Sequence, residues 1–265
     1  MKEFKVFLRR LGTGILPPNV IGNITLPDKM VESDFESEKE MQDMAIEYVF
    51  GNINDHVNDA QYMMNNVILC PLIKSVREIN DKIIEKMHTT EFVSYAADTP
   101  SQENPEIPVE FLNTMDVPGL PLYELRLKEK MPIMVIRNIN KKRHICNGTR
   151  LIVERVTSNL LYARNPARNN EQVILPRIEL ESDIDKVGML LKRRQFPVYP
   201  SFAFSLNKSQ GRTIQGKLAL YLWRQCLSHG QLYVATTRAS HPDFLKYFIK
   251  SKEEGVRNVV ITQII

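Results

Sequence analysis

The residues best suited to chemistry lie in one segment, residues 203–213. An apolar run from Phe202 to Leu206 is typical of a buried strand and leads into a polar stretch. The polar residues at its end are Ser205, Asn207, Lys208, Ser209 and Gln210. Open α/β sheets bind ligands beyond the carboxyl ends of their strands, and backbone N–H groups at a helix start attract anions. The segment therefore indicates either an anion site, with Lys208 adding positive charge and Gly211 allowing close approach, or a polar turn that starts a short helix over 208–214 without any ligand. The residues alone leave both interpretations open.

A second segment, from Ser228 to Arg238, ends in a charged side chain that could act on a phosphate. Ser228 and Gln231 have the spacing of a capping box, which predicts a helix over 228–238. Arg238 then lies in the last turn, where its guanidinium can bind the carboxyl end of its own helix. It could instead reach across a cleft to a phosphate, where a permanent charge is useful. Both interpretations remain open.

Other catalytic and metal-binding patterns are excluded. The stretch from Gly211 to Lys217 fits G-x-x-x-x-G-K, but Leu218 follows where a hydroxyl should hold Mg²⁺, and Lys217 falls at the predicted start of a strand. The three cysteines are far apart, which excludes a disulfide framework and a zinc site. They are Cys70, Cys146 and Cys226, and we expect buried thiols.

Composition restricts the chain to globular classes. It has 265 residues, of which 43% are hydrophobic and 25% charged, with 11 Gly and 15 Pro. These values exclude collagen-like, wholly disordered and coiled-coil proteins. No apolar run reaches the roughly 18 residues that a spanning helix needs. We expect a soluble intracellular protein with no membrane partner.

The net charge of +4 hides a strong asymmetry. Residues 28–60 contain ten acidic residues against two lysines, a net of −8, so the rest of the chain carries +12. One basic cluster, from Arg126 to Arg150, has eight Lys and Arg against Glu129; a second is Lys192 to Arg194. Such clusters indicate either a polyanionic partner or solvated surfaces.

The predicted elements divide the chain into an α/β part and an all-β insertion. Apolar runs near 67–70, 202–206, 217–222 and 245–249 alternate with helical patterns, which favours a parallel sheet. Four short β-rich runs between 130 and 200 favour a small barrel or sandwich. We predict an α/β domain over 66–128 and 200–265, an insertion over 129–199, and a residual segment over 1–65, with too few apolar residues to close a core of its own.

The two chemical segments together resemble motifs V and VI of superfamily 1B DNA helicases of the Pif type, including those of Helitron transposons. Further segments resemble that family's C-terminal half, and residues 68–80 resemble its motif IV. These further segments are residues 120–128, 132–138, 146–151 and 192–198, and residues 7–14 resemble the tail of the region that precedes that half. The resemblance covers nearly the whole chain.

The resemblance implies a RecA-like parallel-sheet domain with an inserted SH3-like β-barrel, from a 5′-to-3′ motor that uses ATP and Mg²⁺. In that scheme Gln210 and Gly211 lie near the ATP phosphates, and Arg238 is the arginine finger. Single-stranded DNA meets Ser205, Asn207, Lys208 and Ser209. The implied partners are single-stranded DNA and an N-terminal RecA-like domain. The family's roles in DNA repair, recombination and telomere maintenance are equally open, and we expect a nuclear rather than a mitochondrial location.

Several departures from the family pattern qualify these expectations. Leu72 and Ile73 occupy the place of a polar pair in motif IV, and Thr236–Thr237 replace Leu-Ser before the finger. The first RecA-like domain, with its phosphate loop and acidic Mg²⁺ ligands, is missing from this sequence. We therefore expect the isolated chain to be inactive as a helicase. A non-catalytic single-stranded DNA-binding module and an inactive transposon-derived fragment are the alternatives.

Overall fold

The computed structural model describes residues 2–100, 106–117, 119–182 and 191–261. The α-helices among them are α1 (Lys2–Thr13), α2 (Glu38–Phe50), α3 (Ala60–Asn65), α4 (Ile73–Lys86), α5 (Val109–Thr114) and α6 (Gln231–Thr236). The strands are β1 (Val31–Glu32), β2 (Val67–Cys70), β3 (Glu91–Tyr95), β4 (Ala97–Pro100), β5 (Glu124–Lys128), β6 (Pro132–Val135), β7 (Arg150–Val156), β8 (Leu160–Asn165), β9 (Glu171–Pro176), β10 (Ile178–Glu181), β11 (Leu191–Gln195), β12 (Val198–Pro200), β13 (Ala203–Ser205), β14 (Leu218–Leu222) and β15 (Leu245–Ile249). None of these helices combines the length and the apolar character that crossing a bilayer requires.

The contacts within the chain group it into two compact units. The sheet unit comprises residues 1–56, 65–83 and 202–265, and the β-rich unit comprises residues 57–64 and 84–201. This division differs from the predicted domain boundaries, because residues 57–64 of the predicted residual segment group with the β-rich part. Residues 1–56, predicted as a residual segment, group with the parallel sheet, and residues 84–128, predicted as α/β, group with the β-rich part.

The sheet unit is built on five parallel strands in the order β1-β15-β14-β2-β13. Every residue of β2 and β14 is buried, as expected for inner strands whose sequences, VILC and LALYL, are apolar throughout. The parallel α/β sheet predicted from the alternation of apolar runs is confirmed. All five strands run in the same direction, so their carboxyl ends share one edge of the sheet.

The acidic N-terminal region is part of this unit because one face of α2 is apolar. Ser37 caps α2 by accepting a hydrogen bond from the Glu40 backbone N–H at 3.2 Å. The buried side chains of the helix include Met41, Ala45 and Val49, and α2 contacts β2, β14 and β15. Apolar residues too few for a separate core are thus sufficient to cover a sheet.

The β-rich unit contains an antiparallel sheet of five strands in the order β12-β6-β7-β8-β9. The four β-rich runs of the sequence form β6 to β9, and each of them pairs with the next along the chain. A second sheet has the order β10-β11-β4, and β3 pairs with β5. The predicted turn at Asn147–Gly148 lies within the longer connection between β6 and β7, where the Thr149 N–H donates to the Cys146 carbonyl at 2.9 Å and Gly148 has φ = 93°.

A buried ion pair joins β11 to β4. Arg193 is 1% exposed and binds both carboxylate oxygens of Asp98, with Nε–Oδ1 and Nη2–Oδ2 distances of 2.7 and 2.6 Å. Its guanidinium also donates to the backbone carbonyls of Leu112, Met115 and Pro121. The middle residue of the basic triplet 192–194 is therefore internal, and the interpretation of the whole triplet as a surface for a polyanion is wrong for this residue.

Candidate nucleotide and DNA site

The first chemical segment lies at the carboxyl edge of the parallel sheet, as the sequence predicts. β13 ends at Ser205 and leads directly into a single 3₁₀ turn, Leu206–Ser209. The expected helix over 208–214 does not form, because Gln210 adopts an extended conformation and Gly211 has φ = 74°. A positive φ is readily adopted by glycine and ends regular helical structure.

The predicted DNA-binding residues divide by exposure. Asn207 and Lys208 are exposed at the edge of the sheet, and Ser205 is half-buried. Ser209 is completely buried, and its hydroxyl donates to the Leu206 carbonyl at 2.6 Å, which closes the 3₁₀ turn. The structure thus brings Ser205, Asn207 and Lys208 to an accessible edge, whereas the burial of Ser209 argues against its predicted contact with DNA.

The second segment forms a shorter helix than the sequence predicts. α6 begins after Gly230, whose φ is 66°, and no side chain caps it. The Gln231 side chain accepts from the backbone N–H groups of Leu227 and Ser228, so only half of the expected capping box is present. The positive φ of Gly230 explains why the helix does not extend back to Ser228.

Arg238 lies just beyond α6 and is held by three hydrogen bonds. Nε donates to the Val234 carbonyl at 2.9 Å, Nη1 to the Arg212 carbonyl at 3.0 Å, and Nη2 to the Thr237 hydroxyl at 2.9 Å. A guanidinium has five N–H donors, so two have no partner among the described residues. The side chain is half-buried. The contact with Val234 is the helix-end interaction foreseen as one alternative, and the two remaining donors are available to an anion.

Hydrogen bonds join the two chemical segments into one site. Besides the side-chain bond from Arg238 to Arg212, the Ile214 N–H donates to the Arg238 carbonyl at 2.8 Å, and the Ser240 N–H donates to the Ile214 carbonyl at 3.0 Å. The structure therefore places Arg238 against the chain just after Gln210 and Gly211. Their predicted roles toward ATP remain predictions, but the proximity that those roles require is present.

Two residues that the sequence analysis did not assign to the site support it from within. Arg212 donates from Nε to the Lys208 carbonyl at 3.1 Å and lies over the Phe204 ring, and burial lowers the pKa of its guanidinium. Thr237 donates to the Val234 carbonyl and accepts from Arg238, so this departure from the family's usual residues orients the finger candidate. The sequence feature that could have assigned Arg212 to the site is its position directly after Gly211.

The residues present fit phosphate groups better than a metal ion. A Cβ built on Gly211 would meet no atom within 4 Å, so its backbone is open to a ligand. Gln210 is exposed beside it. In the described part of the chain no group of three His, Cys, Asp or Glu side chains is placed to hold a metal ion.

Two of the three cysteine thiols are unsuited to a chemical role because they are buried. Cys70 and Cys226 are buried, as expected, whereas Cys146 is half-buried. Burial raises the pKa of the Cys226 thiol to about 12 and raises that of Cys70 as well. Neither is a thiolate nucleophile near neutral pH.

Comparisons with known proteins agree with the resemblance. Residues 110–156 match the family model described as DNA helicase Pif1, 2B domain. The chain is 28% identical over 194 residues to the ATP-dependent DNA helicase Pif1 of Campylobacter jejuni, covering 70% of this chain and 42% of that protein. It is 31% identical over 133 residues to human ATP-dependent DNA helicase PIF1, covering 49% of this chain and 20% of that protein. The chain is similar to the C-terminal portion of Pif1-type helicases.

The fold agrees with that family. A Bacteroides Pif1 helicase crystallised with ADP-AlF3 and single-stranded DNA superposes with a TM-score of 0.51 at 17% identity, over 84% of this chain and 52% of that one. The RecA-like character of the parallel sheet is thus confirmed. This chain spans less than half the length of the two curated relatives, so the activity of a whole Pif1-type helicase is a proposal for it.

Proposed function

We propose that this chain supplies a C-terminal motor half of an ATP-dependent 5′-to-3′ DNA helicase. Its sheet unit would contribute Arg238 as the arginine finger and bind single-stranded DNA through Ser205, Asn207 and Lys208. The β-rich unit would be the SH3-like subdomain of the family. The partner required for turnover is an N-terminal RecA-like domain that brings the phosphate loop and the Mg²⁺ ligands.

One observation carries the proposal: the hydrogen bond from Arg238 to the Arg212 carbonyl, which holds the finger candidate against the loop containing Gln210 and Gly211. These three residues would hold the phosphates of ATP, whose hydrolysis supplies the energy for movement along DNA. The guanidinium is already oriented by three protein acceptors, and two of its donors remain for the phosphate. Preorganised charge of this kind stabilises a transferring phosphoryl group.

A chimera tests the finger assignment. The N-terminal portion of the Campylobacter jejuni relative, fused to this chain, should show ATPase activity stimulated by single-stranded DNA. Arg238→Ala in the chimera should lower kcat by about 10³-fold or more while nucleotide binding changes little. Arg168→Ala is the matched control, because Arg168 is exposed in the β-rich unit, and we expect it to leave kcat unchanged. Wild-type turnover by the Arg238→Ala chimera would refute the assignment.

A second candidate function, a non-catalytic single-stranded DNA-binding module, is favoured by the loop between β6 and β7. Several cations of the cluster 126–150 have other roles: Arg126 pairs with Glu85 and Glu91, and Lys128 and Arg150 are buried. Lys141 and Lys142, by contrast, are exposed and form no ion pair with described residues. Fluorescence anisotropy with the chain alone tests this candidate; binding that weakens steeply with salt supports it, and absent or salt-independent binding contradicts it.

A further inference from the structure

An exposed apolar pair lies at the same edge of the sheet as the proposed DNA contacts. Leu72 and Ile73 are 39% and 57% exposed at the start of α4, immediately after β2 and Pro71. Isolated exposed apolar residues are ordinary. An adjacent exposed pair beside the proposed DNA contacts instead indicates a surface that a ligand covers.

The strand register places this pair next to the proposed DNA contacts. β13 and β2 are parallel neighbours, and Ser205 is paired with Cys70. Leu72 and Asn207 each follow that pair by two residues, and adjacent strands are about 4.8 Å apart. The 3₁₀ turn Leu206–Ser209 contacts β2. The register therefore brings the apolar pair and Asn207 to the same edge of the sheet.

The charges around the pair complement a nucleic-acid strand. Lys208 directly follows Asn207 and is exposed, and Lys74 directly follows Ile73 and has a side chain that is 85% exposed with a long contact of 3.8 Å to Glu78. A strand lying across this edge would meet ammonium groups with its phosphates and aliphatic side chains with something apolar. The apolar surfaces of single-stranded DNA are the faces of its bases.

We propose that Leu72 and Ile73 bind the face of a nucleobase, so that this chain holds single-stranded DNA partly by apolar contact at a place where its flanking lysines bind phosphates. The inference rests on the proposed function, since it requires DNA at this edge. It assigns base contact rather than phosphate contact to this position. Its consequence is a component of affinity that depends on the presence of bases and not on salt.

The test compares two oligonucleotides on one double variant. The wild-type chain and Leu72→Ser/Ile73→Ser are titrated by fluorescence anisotropy with a 12-residue oligothymidylate and with an abasic strand of the same length. We expect the variant to lose about tenfold affinity for oligothymidylate and much less for the abasic strand. The slope of log K against log salt should stay the same, because an apolar contact releases no counterions.

Controls separate the possible outcomes. Phe244→Ser removes a side chain of similar exposure, 44%, that precedes β15 and so lies at the amino edge of the sheet; we expect no effect on either titration. Circular dichroism checks that each variant is folded. If the wild-type chain binds oligothymidylate but the double variant loses equal affinity for both strands, or none, the base contact is overturned while the DNA site stands.

Two further results would also overturn the proposed base contact. If the folded wild-type chain binds neither strand at any salt concentration, the proposed function fails and this inference fails with it. If sedimentation shows a dimer of the wild-type chain that the double variant abolishes, a second copy covers the pair and the base contact is wrong.

Discussion

Replacing Arg193 tests whether burial has been assigned correctly within the basic triplet 192–194. Arg193→Met keeps an unbranched apolar stem but removes the partner of Asp98, whose side chain is 0% exposed. The carboxylate would be left buried without its counter-charge, and three backbone carbonyls would lose a donor. Removing one member of a buried pair costs about 3–5 kcal/mol. That is a large part of the roughly 5–15 kcal/mol that stabilises a whole domain.

Urea denaturation followed by far-ultraviolet circular dichroism measures the loss. A free-energy loss of about 4 kcal/mol and a urea m-value of about 2 kcal/mol/M give a fall of about 2 M in the midpoint. The single tryptophan, Trp223, lies in the sheet unit, so its fluorescence does not report directly on the ion pair. Arg194→Ala is the matched control, since Arg194 is exposed on the same strand, and we expect a change within about 0.5 kcal/mol.

A double variant separates lost attraction from an orphaned charge. Arg193→Met/Asp98→Leu removes both charges, so we expect it to be more stable than Arg193→Met alone, because an apolar replacement of a buried pair is tolerated better than half of the pair. The burial argument is refuted if Arg193→Met has wild-type stability. It is refuted equally if Arg193→Met loses salt-dependent DNA affinity without losing stability, since Arg193 would then be a surface contact.

Three further predictions address other parts of the chain. Lys141→Ala/Lys142→Ala should weaken single-stranded DNA binding and reduce the salt slope by about 1.4, which anisotropy at several salt concentrations measures; an unchanged slope would remove this loop from the DNA path. Gly216→Ala should cost about 1–3 kcal/mol, read by tryptophan fluorescence in urea, because its Cβ would lie 2.4 Å from the Asn66 side-chain oxygen; wild-type stability would contradict the contact. Iodoacetamide at pH 8 should alkylate Cys146 well before the two buried thiols, as mass spectrometry would show, and equal rates would contradict the burial.

The parallel sheet was predictable because its buried strands correspond to short, mainly apolar runs in the sequence. Val67 to Cys70 and Leu245 to Ile249 are strands with the bounds that the sequence suggests, since apolar runs without alternation suit strands buried on both faces. The helix expected over 228–238 was too long, because its true start depends on the φ of Gly230. A pattern of residue types identifies the kind of element more reliably than the residue where it begins.

The basic triplet shows where sequence reasoning reached its limit. Successive side chains of a strand point to opposite faces, so Arg193 on β11 faces inward with Leu191 and Gln195 while its charged neighbours face outward. The sequence LKRRQ shows no matching alternation of polar and apolar residue types, so the inward position of Arg193 is evident only from the structure. The reason the core accepts a charge there is Asp98, which lies 95 residues earlier and meets Arg193 only because β4 pairs with β11. Long-range pairing is what local patterns do not contain.

The two interpretations of Arg238 that the sequence left open are compatible in the structure. Its bonds to Val234 and Thr237 are those of a residue that completes a helix end, and its bond to Arg212 fixes the guanidinium against the loop at Gly211. An unbound arginine side chain would lose about 2 kcal/mol of rotamer entropy on binding a phosphate. Because three protein acceptors already hold this one, that loss is incurred on folding, and the two remaining donors meet an anion at little further cost. The helix-end contacts therefore prepare Arg238 to bind an anion, as its proposed role of arginine finger requires.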